Sequence, residues 1–278
     1  MRVLLAALLA ATSLSPQQSA IHQHLADHAI TQERSANWIL IPAAGSLQGA
    51  AGTFFRSDVM ISNHRSTPQL VDLSFCQQGV SCSTSGFQLM QITVQGNSQV
   101  FYGDIVRQLG KSGSLGTLDL RARMADGSLD TSAKIDAFSR IWTLEAYSSG
   151  TPLEGGTTSQ SFPSVKIDAV HGSARVYILG LQQDLKYRTN IGIYNDDPTS
   201  AHTFTVRLLS ADFQTTSFTI TVQPWSMAQG PVPAGNWGNI MAVITPDSSI
   251  GNENWAAYGS STDNITGDGW VSIGSQNE

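Results

Sequence analysis

Four groups of residues have types and spacings that chemistry can use. Cys76 and Cys82 are the only cysteines, with Gln77 to Ser81 between them. A redox pair has two intervening residues and a zinc knuckle needs further ligands, so this spacing reads as a short structural disulfide in an oxidising compartment. His22, His24 and His28 form a second group. The last two would share one face of a helix and can then hold a metal, although the polar stretch around them reads equally as a linker. Asp263, Asn264, Thr266 and Asp268 crowd their oxygens as a calcium loop does, but the closing Glu of a helix–loop–helix site is missing. Side chains bonding to their own backbone in a tight turn account for the same letters. Trp225, Trp237, Trp255 and Trp270 concentrate late in the chain. A row of such rings can stack sugars, and the same rings can close the ends of a β core.

No Gly-x-Ser-x-Gly elbow and no His-Glu-x-x-His zinc motif occurs. The 21 acidic residues supply carboxylates for a glycosidase, yet no spacing singles out a pair. His64, His171 and His202 fall at predicted strand ends or junctions without an evident partner. The motif content therefore favours a non-catalytic protein over a small hydrolase acting on polysaccharide or protein.

The elements that must position these residues are written twice. Residues 54–63 run from Phe54 to Asn63, and residues 186–195 run from Lys186 to Asn195. Arg56, Asp58 and Asn63 match Arg188, Asn190 and Asn195. Phe55, Ser57, Val59 and Ile61 alternate, as do Tyr187, Thr189, Ile191 and Ile193, which is the period of a half-buried strand. Further matches follow in the same order. Val71, Leu73 and Phe75 answer to Phe204, Val206 and Leu208. Ile92 to Gln95 reappears letter for letter as Ile220 to Gln223. Gly113 to Gly116 resembles Gly235 to Gly238, and Ala146-Tyr147-Ser148 resembles Ala257-Tyr258-Gly259. These matches predict an all-β chain of two tandem β-sandwich domains related by internal duplication. Arg56 and Arg188 are expected to pin a neighbouring turn through carbonyl or carboxylate bonds.

Charged residues make up only 13% of the 278, the net charge of -6 is scattered, and there is no basic patch, which argues against nucleic acid. Residues 1–20 carry Arg2, an apolar run from Val3 to Ala11 and then small residues, the pattern of a secretory signal peptide. Residues 21–36 read as a linker, 37–170 as the first domain and 171–278 as the second. No later stretch is apolar and long enough to span a membrane. Trp38 to Pro42 is expected to be an edge strand ended by Pro42, with 43–53 as loop. Residues 100–109 are expected to hold a helical turn or two, 123–137 an inserted hairpin, and 148–163 a long recognition loop or linker.

The run from Gly52 through Phe54-Phe55-Arg56-Ser57-Asp58-Val59 to Asn63, its companion from Tyr187 to Asn195, and the tail from Trp255 to Asp268 resemble secreted bacterial proteins with tandem immunoglobulin-like β-sandwich domains. The resemblance covers roughly residues 38–272 and implies immunoglobulin-like sandwiches and export. It carries no catalytic residue, and the cysteine loop departs from its pattern. The expected function is a secreted or cell-surface binding or structural protein with an extracellular protein or glycan as partner. A carbohydrate-binding module is one alternative and a secreted hydrolase another. No cofactor is implied beyond the calcium reading of residues 263–268.

Overall fold

Alternation decides which residues meet. In β2 (Phe54–Asn63) Ser57, Val59, Ile61 and Asn63 are buried and the residues between them are half-buried. In β3 (Gln69–Gln77) the inward set is Val71, Leu73 and Phe75, which leaves Asp72 and Ser74 on the outer face. The computed structural model describes residues 35–49, 52–82, 87–144 and 156–276. Residues 1–20, where a signal peptide is expected, nearly all of the expected linker 21–36 and its three histidines lie outside them.

The first half contains β1 (Trp38–Gln48), β2, β3, β4 (Phe87–Val94), β5 (Ser98–Tyr102), a single-turn α1 (Ile105–Gln108), β6 (Ser114–Arg123), β7 (Ile135–Leu144), β8 (Thr157–Pro163) and β9 (Val165–Lys166). One layer runs β4-β3-β6-β1, with β9 against β1. The other runs β2-β7-β8, with β5 against β2. The end of β1 at Leu47 and Gln48 also pairs with β2, joining the layers into one sheet. The second half contains β10 (Val176–Gln183), β11 (Tyr187–Asn195), β12 (His202–Ser210), β13 (Thr215–Val222), β14 (Ser226–Pro231), β15 (Gly238–Pro246), β16 (Trp255–Asp263), β17 (Gly269–Ile273) and β18 (Ser275–Gln276). Its layers run β13-β12-β15-β10-β18 and β14-β11-β16-β17. The chain is all-β, built of antiparallel sheets.

The two halves follow the same pairing order, strand for strand. Asn63 pairs with Ser98 and Ile135, and Asn195 with Ser226 and Trp255. Val71 faces Ile92, and Phe204 faces Ile220. Two of the sequence matches are corrected by these registers. Ser114 occupies the place of Gly238, so the glycine quartets are two residues out of step. Ala257-Tyr258-Gly259 answers to Ala137-Phe138-Ser139, whereas Ala146 to Ser148 lie outside the described residues.

Other expectations also change. Pro42 does not end a strand. The register of β1 against β6 shifts between Ile41 and Ala44, and the proline sits in that bulge, where its missing N–H removes no ladder bond. β10 has its shift at the matching place, between Ile178 and Leu181. Residues 100–109 divide between β5 and α1. Of the expected loop at 148–163, residues 148–155 lie outside the described residues and 157–163 form β8, which pairs with β7 and buries Phe162. Within 123–137, Ile135 onward already belongs to β7.

Val59 and Ile61 enter one apolar core, and Ile191 and Ile193 enter another. The first core also receives Tyr194, Met227, Ala256 and Tyr258 from the second half. The sheets thus divide near residue 170, but the apolar packing does not, and the described residues form one compact unit. Among the described residues no helix is long and apolar enough to cross a membrane.

Asn63 and Asn195 are the shared pins. The Asn63 amide donates to the carbonyls of Thr67, Val94 and Gln95, and its oxygen accepts the Arg65 N–H. Asn195 donates to Ser200, Val222 and Gln223 and accepts from Asp197. Each ties a turn to the facing loop with a buried carboxamide. Asn63→Ala or Asn195→Ala leaves those backbone groups without their partner and is expected to cost about 2–4 kcal/mol in urea unfolding. A loss below about 0.5 kcal/mol at either position would contradict the pinning role.

Candidate functional site

The outer face of β3 and β6 carries charge where the inner face carries the core. On β6, Leu118, Leu120 and Ala122 are buried inward, so Asp119, Arg121 and Arg123 project outward. Across the ladder Asp72 stands opposite Arg121, and Ser74 opposite Asp119. On the other side Ser74 faces Leu89, and Cys76 faces Phe87 of β4. Tyr194 and Trp225 of the second half approach this face. Together these side chains and the Cys76–Cys82 disulfide enclose a cleft of ≈ 240 Å³.

The charges in the cleft are paired. Asp119 accepts two hydrogen bonds from Arg121, at 2.9 and 3.0 Å, and one from the Trp38 indole at 3.0 Å. The Arg121 guanidinium lies 4.0 Å from the Trp38 ring centre and 5.6 Å from that of Trp225. Burial alone would lower the Arg121 pKa, but the hydrogen bonds and charge of Asp119 outweigh it and raise it. Arg123 bonds Asp72 at 2.7 Å, and Asp72 also accepts from Gln91 at 2.9 Å.

Behind Arg121 lies a second carboxyl. The Tyr194 hydroxyl donates to Asp196 at 3.2 Å, and the Asn254 amide reaches its other oxygen at 3.5 Å. Burial and then the negative charge of Asp119 push the Asp196 pKa up to about 7. The Tyr194 phenol is raised well above its ordinary value by burial and by the same two carboxylates.

The disulfide loop is the clasp of the cleft. Its linked residues have Cα atoms 5.8 Å apart. Gly79 N–H donates to the Met227 carbonyl at 3.0 Å, and Cys82 N–H to that of Pro224 at 3.2 Å. The Ser226 hydroxyl donates to the Gln77 carbonyl at 3.2 Å. The cysteine loop thus binds the second half to the first.

The tryptophans form no common platform. Trp255 is fully buried against Phe204 at 5.1 Å and donates to the Gly172 carbonyl. Trp237 packs on the second core. Trp270 lies edge-on to Tyr187 and donates to the Gly180 carbonyl. Trp225 alone lines the cleft. The oxygen-rich loop is a hydrogen-bonded turn. Asp263 accepts the N–H groups of Ile265 and Thr266, Thr266 accepts that of Asp268, and Asn264 accepts from Arg188 at 2.7 Å. Among the described residues no three His, Cys, Asp or Glu side chains gather as metal ligands. Arg188 therefore holds a turn through a carboxamide. Arg56 instead lies over the rings of Phe54 and Trp142, at 5.0 and 5.4 Å. Asp58 accepts the Asp104 N–H, and Asn190 is half-buried in the ladder between Pro231 and Ser260.

His202 has partners that its sequence position did not reveal. One ring nitrogen lies 2.9 Å from Asp197, and the other 2.9 Å from the Ser249 hydroxyl. A serine, a histidine and an aspartate in line suggest a hydrolase. Three features oppose it. His202 is fully buried, Ser249 already bonds Asp247, and the counterpart of His202 in the first half is Gln69, which braces the same turn by bonding Arg65 at 3.2 Å. The trio is a turn brace.

No family model matches the sequence, and neither does any curated protein. The cleft residues Asp72, Asp119, Arg121 and Arg123 were not singled out from the sequence. Their signal was the alternation of charge with apolar residues along two strands, which marks an outer face without saying what covers it.

The raised Asp196 predicts a pH dependence. A carboxyl held protonated by the fold contributes stability that is complete below its unfolded value and is lost as pH rises through its folded one. Asp197 and Asp247 shift the other way, because hydrogen bonds from neighbours including Thr199, Ser249 and His202 outweigh burial, so their contribution changes only in stronger acid. The melting temperature is expected to fall between about pH 5 and about pH 8, and Asp196→Asn is expected to flatten that fall. An equal slope in the variant would contradict the assignment.

Proposed function

We propose that this chain is a secreted or cell-surface binding protein whose ligand enters the cleft between the two sandwich halves. The observation that carries the reading is the cleft itself. It is concave, it sets the apolar side chains of Phe87, Leu89 and Trp225 beside charged groups, and those charges are fixed in ion pairs, which suits binding. Its carboxylates are each held by an arginine, so none stands ready as a nucleophile or general base. Export is supported by the N-terminal pattern from Arg2 to Ala20 and by the disulfide, since such bonds persist in oxidising compartments. The common pairing order and the matched Asn63 and Asn195 pins support an internal duplication, and with the quoted motifs they support kinship with secreted immunoglobulin-like tandem proteins.

A thermal-shift screen of chemically mixed small molecules tests the binding reading. Ser74→Phe fills the cleft from the outer face of β3. Some compounds are expected to raise the melting temperature of the wild type and not of Ser74→Phe. Compounds that stabilise both proteins equally, or no stabilising compound at all, would contradict it.

A further inference from the structure

Trp225 stands where its backbone disfavours it. Its φ is 43°, in the left-handed region that bulky residues rarely adopt. The first half shows what the position requires. Ile92 to Gln95 answers to Ile220 to Gln223, so the counterpart of Trp225 is Asn97, with φ 50°. The backbone bond is the same as well. Asn97 N–H donates to the Arg65 carbonyl at 2.7 Å, and Trp225 N–H to the Asp197 carbonyl at 3.0 Å. Asn is among the few residues at ease in this conformation, and Trp is not. The turn therefore gives no reason for an indole. The cleft does, because the indole forms one wall of it.

The floor of the cleft is balanced in charge. Asp72 pairs with Arg123 and Asp119 with Arg121, so the four groups sum to zero. A charged ligand would have to break a pair to gain one. A hydroxyl need not, since a carboxylate oxygen has more than one lone pair and a guanidinium has five N–H donors. Fixed carboxylate and guanidinium groups beside an indole, with Phe87 and Leu89 also lining the cleft, suit a ring that is apolar on its faces and hydroxylated at its rim.

We propose that the cleft binds one ring of a neutral oligosaccharide, stacked on Trp225 and hydrogen-bonded through its hydroxyls to the Asp72–Arg123 and Asp119–Arg121 pairs. This rests on the binding reading above and names the ligand class for the same site. The cleft of ≈ 240 Å³ is small for a drug-sized ligand, and it takes a single ring with the rest of the chain running outward.

The test uses the mature protein on a printed array of neutral and acidic oligosaccharides, with a short-peptide array beside it, followed by calorimetry on the best ligand. Three variants accompany the wild type: Trp225→Asn, Trp225→Phe and Ser74→Phe. Trp225→Asn installs the residue that the first half carries and relieves the backbone, but it removes the ring beside Arg121, so its melting temperature is expected to stay close to that of the wild type. Neutral oligosaccharides are expected to bind the wild type. Trp225→Asn is expected to weaken that binding by at least about tenfold, and Trp225→Phe, which keeps an aromatic face, by less. A ligand that is acidic or peptidic, yet lost in Trp225→Asn and Ser74→Phe, overturns the sugar class and leaves the cleft as the binding site. Neutral sugars that bind all four proteins equally place binding elsewhere and overturn both readings, as does binding to neither array.

Discussion

Asp119 lies on the outer face of a sheet and yet is almost closed to water. A carboxylate in that position is costly unless donors surround it. Arg121 supplies two and Trp38 one, and the arginine is itself stacked between the Trp38 and Trp225 rings. The cover that buries this pair is the second half of the chain. Tyr194 and Met227 complete the first core from outside, and the disulfide loop ties its backbone to Pro224 and Met227. Asp196, buried and next to a charge that is already committed, has its pKa pushed up to about 7. The cleft is the space left between the covered charges and the disulfide clasp. Breaking one ion pair inside such a seam costs more than the pair itself contributes, because the remaining charge stays buried.

The two halves use one scaffold in two ways. The parts that hold the scaffold repeat. Each half has its buried asparagine, its bulge in the first strand, and a hydroxyl, Ser57 or Thr189, bonded to the neighbouring strand at Gly45 or Gln182. What differs is the chemistry at equivalent places. Arg65 with Gln69 becomes Asp197 with His202, and Asn97 becomes Trp225. The outer face of the first half is covered at Asp119 and carries the ion pairs. The matching face of the second half leaves Thr205, Arg207 and Thr219 exposed. Comparison of counterparts separates what the fold needs from what the site needs, and it counts His202 among the former and Trp225 among the latter.

The strands that alternate were legible in the sequence because inward and outward residues differ in kind. Val59, Ile61, Ile191 and Ile193 could be assigned to cores from their period alone. Pro42 misled because a bulge excuses a proline that a regular strand would not. The glycine and Ala-Tyr matches were out of register because small residues recur in every β chain, and only the ladders fix the alignment. The cleft was illegible for another reason. Tyr194 and Trp225 lie far in sequence from Asp119 and Arg121, and alternation says which face a residue occupies without saying which distant segment covers it. Trp225 was visible as an aromatic, but its meaning depends on a backbone angle and on Asn97, neither of which a sequence displays.

The account stands on the clasp between the halves, and amide hydrogen exchange at Gly79 and Cys82 probes it directly. Both N–H groups donate across the seam, to Met227 and Pro224, from a short loop that would otherwise face solvent. If the halves are one body, both amides exchange slowly, with protection approaching that of the core strands. Exchange at the rate of an open loop amide at both positions would show that the seam does not hold and that the cleft has no second wall.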